Sequence, residues 1–138
     1  KKKQPSTTSD DLQAFQHLTA ALTELNQFLD GSLQRFNVPL DLGCLTDFQK
    51  LVLQSCINIP YGQLLTYKAL AGSIGKPNAT RAVASALARN PILLIVPCHR
   101  VIGSDGRLHG FAAPQGIRTK AALLRLEGHD EQKDYLIS

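Results

Sequence analysis

The sequence predicts an α+β protein, mostly helical, in which a long helix and a short extended strand precede a helix-turn-helix-like domain. Three observations carry this. Apolar residues recur at three- and four-residue steps in several separate stretches. Gly- and Pro-containing turns punctuate the second half, at Pro60-Tyr61-Gly62, Gly75-Lys76-Pro77 and Asn90-Pro91. The apolar β-rich runs are short, the longest aliphatic one covering residues 92–96. With 138 residues, 43% hydrophobic and 19% charged, the chain suits one globular domain with a small appendage.

Taken in order, residues 1–9 are polar and read as a disordered leader. Residues 10–30 form an amphipathic helix on which Leu12, Phe15, Leu18, Leu22, Leu25 and Leu29 recur at three- and four-residue steps as an apolar stripe. Ser9 or Asp10 can cap its start, and Gly31 can end it. Residues 35–42 contain Pro39 and read as a short edge strand or extended linker. A second helix covers about residues 47–58, with capping-box spacing between Thr46 and Gln49. Phe48, Leu51, Val52, Ser55 and Cys56 form its inner stripe, Cys56 as a small buried hydrophobe. Thr66 can cap a short helix over residues 67–73, and a third follows over about 78–89. The pair resembles a helix-turn-helix. The third helix is almost without bulk: Val83 and Leu87 anchor it, and Ala79, Ala82, Ala84, Ser85, Ala86 and Ala88 fill the rest. Such a helix either packs tightly in a core or approaches a groove closely. Residues 92–96 read as a buried strand or extended segment. Asp105-Gly106 marks a tight hairpin turn in a Gly-rich loop, residues 117–126 a final helix with Ala121, Leu123 and Leu124 inward, and residues 129–138 a polar tail.

Charge is unevenly spread. Residues 60–125 hold nine Lys/Arg against Asp105 alone, a net +8, whereas residues 1–59 and 126–138 are net acidic. The middle segment suits a polyanion, or is a solvated basic face. Three cysteines, Cys44, Cys56 and Cys98, without CxxC or CxxH spacing, argue against a disulfide scaffold and a zinc site. Reduced thiols in a soluble intracellular protein are expected, cytoplasmic, or nuclear in a eukaryote. The sequence holds no Met, so Lys1 is expected not to be a natural start.

The residues that carry chemistry are Pro97-Cys98-His99-Arg100. A thiol becomes a good nucleophile when deprotonated, and an imidazole or nearby cations promote that. Cys98 and His99, adjacent on a strand, would point to opposite faces, so they would communicate through a water or a bend after Pro97. Glu127, at the end of a helix, is the candidate carboxylate to orient His99. A neighbouring Cys-His pair taken alone is more often structural.

The wider pattern adds to this. Ile59-Pro60-Tyr61-Gly62, Arg81-Ala82-Val83, Asn90-Pro91, Pro97-Cys98-His99-Arg100-Val101-Ile102 and Leu123-Leu124-Arg125-Leu126-Glu127-Gly128 occur in this order. As a set they resemble the O6-alkylguanine-DNA alkyltransferases, also called methylated-DNA–protein-cysteine methyltransferases, from about residue 46 to residue 128. The resemblance implies a winged helix-turn-helix-like DNA-binding and active-site domain over residues 46–128, with residues 10–45 a remnant of a larger N-terminal domain. It implies direct-reversal DNA repair: irreversible, single-use transfer of an alkyl group from O6 of guanine, with O4 of thymine a further candidate, onto Cys98. No cofactor and no metal are implied. The partner implied is double-stranded DNA carrying O6-alkylguanine, bound in the minor groove by a monomer; no membrane is involved.

Residue by residue, His99 would polarise Cys98 through a water, Glu127 would hold His99, and Asn90 would fix the turn before the active-site strand. Tyr67 would donate to the leaving guanine, and Lys120 would lie near the base. Arg81 would enter the DNA stack as the lesion base rotates out. The Val101 carbonyl would help bind guanine. Lys68, Lys76 and Ser104 would join the DNA and substrate contacts. The chain departs from the family at Leu53, where many members carry Trp, at Leu93, where many carry Pro, and at Phe111-Ala112-Ala113-Pro114, where Pro114 has no amide to offer. The alternatives are a non-catalytic lesion-binding protein, a winged-helix regulator, which would want long polar side chains on the recognition helix, and a Cys-His hydrolase, which leaves the basic segment unused.

Overall fold

The structure is a computed structural model that describes residues 9–111, 113 and 115–137. The leader assigned to residues 1–9 lies outside the described residues except for Ser9, which opens a helix. So do Ala112 and Pro114. The chain divides into two compact units, Lys1–Asp41 and Leu42–Ser138.

The first unit is built on α1, Ser9–Leu29. The amphipathic helix expected there is present, and its apolar stripe is largely exposed: Leu12, Phe15, Leu18, Leu22 and Leu29 are 53–67% exposed. Within this unit the described chain beyond the helix reaches only its last turns. There Phe28 is buried and lies 5.3 Å from the Phe36 ring. The Glu24 carboxylate accepts the amides of Asn37 and Val38. Residues 35–42 form no strand; Pro39 removes an amide, and the segment is the extended linker.

The second unit is a helical cluster closed by a two-stranded sheet. α2, Asp47–Ile57, starts on the full Thr46–Gln49 capping box. It buries Val52, Leu53 and Cys56, whereas Leu51 is exposed, so the inner stripe is shifted toward Leu53. β1, Leu65–Thr66, leads directly into α3, Tyr67–Ser73, whose Ala69 amide donates to the Thr66 hydroxyl. α4, Thr80–Ala88, buries Val83, Ala86 and Leu87 against α2 and α3. Arg81, Ala82, Ser85, Ala88 and Arg89 are exposed, so its outer face is small residues bounded by two arginines.

Residues 92–96 are not a strand. The Ile95 amide donates to the Leu93 carbonyl, that of Val96 to Ile92, and Leu94 takes φ +72. Prolines at 91 and 97 remove two ladder amides, and turn bonding wins over β-propensity. The chain then makes a 3-10 turn, Cys98–Arg100, and enters β2, Val101–Ile102. β2 pairs parallel with β1, Leu65 opposite Val101 and Thr66 opposite Ile102. Gly106, at φ +80, makes the tight turn expected at Asp105-Gly106. α5, Ile117–Leu126, buries Lys120 along with Ala121, Leu123 and Leu124. The polar tail folds back: Tyr135 is buried with Ile102, Leu108, Ala121 and Leu124.

Candidate active site

The site is built where the turn after α4, the 3-10 turn and the end of α5 meet. Asn90 closes the first. Its Oδ1 accepts the Ile92 amide at 2.9 Å, and its Nδ2 donates to the Val96 carbonyl at 3.0 Å and to Cys98 Sγ at 3.3 Å. One amide side chain thus bonds both ends of the turn, where the sequence reading put it, and also touches the thiol, which that reading did not foresee. Cys98 is 5% exposed and sits at the start of the 3-10 turn, not at a strand end. The alternation argument therefore does not govern where Cys98 and His99 point.

His99 is fully buried, and its Nε2 bonds Glu127 Oε2. Glu127 Oε1 accepts from Arg100 Nε at 2.8 Å and from the Gly62 amide at 3.0 Å. Gly62 stands at φ +79, a conformation that suits glycine, which is how its amide reaches the carboxylate. Arg100 also donates from Nη1 to the Ile59 carbonyl at 2.7 Å, and its guanidinium lies 5.6 Å from the Tyr61 ring centroid. The Tyr61 hydroxyl donates to the Leu126 carbonyl. The Ile59-Pro60-Tyr61-Gly62 motif is therefore the wall that holds Glu127 and Arg100.

Arg100 was not among the site residues expected from sequence. A signal was available: between residues 60 and 129 the only carboxylates are Asp105 and Glu127, and an arginine beside a buried histidine needs one of them.

A second cluster holds Tyr67 and Lys120. Lys120 is 1% exposed; its Nζ donates to the Tyr67 hydroxyl at 3.2 Å and to the His109 carbonyl at 3.4 Å. The His109 ring stands edge-on to Tyr67 at 6.2 Å. Val101 is buried in β2. Lys68, Lys76, Arg81 and Ser104 are exposed and lie outside the buried clusters.

Burial sets the protonation states. It pushes the Cys98 thiol up, against downward pulls from the Asn90 amide and Lys120. The neighbouring imidazole and cations thus do not leave a standing thiolate, contrary to the expectation from adjacency. Burial holds His99 below 6.5, so the ring is neutral. Burial alone would raise Glu127, but the hydrogen bonds and charge of its partners hold it at about 2. An ionised Glu127 accepts from His99 Nε2–H, which makes Nδ1 the basic nitrogen. Lys120 is lowered to about 8 by burial, and Tyr67 is raised to about 12, so Tyr67 is a neutral donor. The arrangement can take a proton from a thiol, store it beside a fixed negative charge, and offer a phenol hydrogen to a leaving group.

Residues 47–129 match the family described as 6-O-methylguanine DNA methyltransferase, DNA binding domain. The chain belongs to this family. It is 45% identical over 126 residues to the methylated-DNA–protein-cysteine methyltransferase of Methanosarcina barkeri, covering 91% of this chain and 78% of that one. Among solved structures it resembles Mycobacterium tuberculosis OGT in complex with DNA, with TM-score 0.75 and 48% identity, over 79% of this chain and 66% of that one. It also resembles Schizosaccharomyces pombe Atl1 in complex with damaged DNA containing O6-carboxymethylguanine, with TM-score 0.57, 29% identity and 68% of this chain covered. The chain therefore spans about two thirds of the mycobacterial protein. The α+β fold expected from the sequence is that of the family, and the matching family model is described as a DNA-binding domain.

Proposed function

We propose that this chain takes the alkyl group from O6 of guanine in duplex DNA onto Cys98 Sγ, once per molecule and without a cofactor. The observation that carries the reading is a buried cysteine on the same 3-10 turn as a neutral histidine whose Nε2 is held by an ionised carboxylate. As Sγ attacks the alkyl carbon, the S–C bond forms and the C–O6 bond breaks. The bonding pair stays with the guanine, and the thiol proton goes to His99, through a water or directly. Glu127 and the Asn90 amide offset the charges that develop on imidazole and sulfur. Tyr67, which accepts from Lys120 Nζ, turns its own hydrogen toward the leaving base. A base inside a duplex cannot reach this buried thiol, so it must rotate out; Arg81 on the exposed face of α4 fills the gap. The small outer face of α4 suits the minor groove, where readout is tolerant of sequence. The protein works as an intracellular monomer.

The test is intact mass spectrometry after mixing with duplex DNA holding one O6-methylguanine. A single methyl adduct on the Cys98 peptide, never exceeding one per molecule, is expected. Cys98→Ala should lose the adduct and keep DNA binding. Stoichiometric methyl uptake by that variant would refute Cys98 as the acceptor. Tight lesion binding without an adduct in the unsubstituted protein would instead favour a lesion-binding role.

A further inference from the structure

We infer that residues 130–137 are a strap that fixes the loop over the site, and that Tyr135 is a positioning residue for alkyl transfer. The inference rests on the reading of Cys98 and Tyr67 given above. The family match ends at residue 129, yet the chain beyond it returns into the domain. Tyr135 is 2% exposed and packs with Ile102, Leu108, Ala121 and Leu124. Its hydroxyl donates to the Ala121 carbonyl at 3.3 Å.

The next residue stitches the strap to the loop. The Leu108 amide donates to the Leu136 carbonyl, and the Leu136 amide donates to the Gly106 carbonyl, each at 2.8 Å. The residue after Leu108 is His109, whose carbonyl accepts from Lys120 and whose ring stands against Tyr67. On the other side, Ala121 directly follows Lys120. Tyr135 and Leu136 therefore tie the loop to α5, one residue from His109 on the loop and one residue from Lys120 on the helix. Among the described residues, further hydrogen bonds of residues 103–111 stay within the loop: the Gly103 amide bonds the Arg107 carbonyl, the Gly106 amide bonds the Gly103 carbonyl, and Asp105 bonds the Arg107 amide and the His109 ring. Without the strap the loop loses its packing, and the His109 wall beside Tyr67 and Lys120 loosens. A loosened wall costs a small substrate its alignment and admits a larger one.

The experiment compares the unsubstituted protein with Tyr135→Ala, Tyr135→Phe and Leu136→Pro, the last removing the amide that bonds Gly106 together with the Leu side chain and stiffening the backbone there. Amide hydrogen exchange reads the loop directly. Protection at Leu108 should fall at least about tenfold in Tyr135→Ala and Leu136→Pro, with α2 and α4 unchanged. Single-turnover rates then read the chemistry, with amplitudes giving the active fraction. Tyr135→Ala should slow transfer from O6-methylguanine in DNA about tenfold and shift the rate ratio toward free O6-benzylguanine at least about threefold. Tyr135→Phe should restore most of both. Unchanged Leu108 protection, or equal slowing on both substrates, would overturn the proposal. If the unsubstituted protein transfers no alkyl group, the reading of Cys98 fails, and the exchange measurement alone decides the strap.

Discussion

At the scale of single residues, Glu127 joins the whole acid–base chain. One oxygen holds His99 Nε2, and the other accepts from Arg100 Nε and the Gly62 amide. Three donors on one buried carboxylate leave it little freedom to accept a proton itself, which is why it serves as a fixed charge. Glu127→Gln keeps the size and removes that charge. The amide nitrogen would face either Arg100 or His99 as a donor facing a donor. If it faces His99, the imidazole moves its proton to Nδ1, and the basic nitrogen is lost. We expect transfer to slow roughly a hundredfold or more. Stability should fall by about 3 kcal/mol, because Arg100 is left buried with a weakened partner. Single-turnover kinetics and urea unfolding read the two effects. Unchanged stability would show that Arg100 does not depend on Glu127.

At the scale of elements, α4 offers the clearest link from sequence to role. Its bulk, Val83 and Leu87, is turned inward, and its outer face between Arg81 and Arg89 is small. Arg81→Ala should therefore slow repair of O6-methylguanine in duplex DNA by tenfold or more while changing reaction with free O6-benzylguanine by less than about twofold. Equal losses on the two substrates would remove base rotation from its role. The capped helices were legible in the sequence: Thr46 with Gln49 and Thr66 mark the starts of α2 and α3 where the structure has them. Capping is local chemistry, so sequence carries it. Residues 92–96 were misread because β-propensity is local too, whereas the Asn90 side chain that captures both ends of the turn acts across the loop. The stripe of α1 shows the same limit: periodicity says which face is apolar, not whether anything covers it. Arg100 was hard to place because charged residues are read outward until a buried partner is known, whereas Lys120 was placed by the family resemblance.

At the scale of the whole molecule, the buried groups combine into a stability profile whose limbs have distinct owners. His99 is held below 6.5, so in acid the unfolded chain binds a proton that the native ring refuses, and stability falls as pH drops below about 6.5. Glu127, held at about 2 against an ordinary 4.5, contributes stability that is present above 4.5 and lost as pH falls toward 2. On the alkaline side, Lys120 sits at about 8 against an ordinary 10.5. Between those values the unfolded chain keeps a proton that the native amine has released, so stability rises with pH. Cys56 and Cys98, both raised above 9.0 by burial, oppose that rise above pH 9, since unfolded thiols ionise first. Tyr67 adds to the opposition above 10. The net curve should peak near pH 8 to 9. Lys120→Met isolates one limb, because Met keeps the length and carries no charge. The variant should be relatively most stable below pH 8, and its advantage should shrink by about 3 kcal/mol as pH rises through the window from 8 to 10.5. Urea unfolding of both proteins at matched pH measures the gap directly. A gap independent of pH would mean that Lys120 stays protonated in its buried site. It would then donate to the Tyr67 hydroxyl as a full cation.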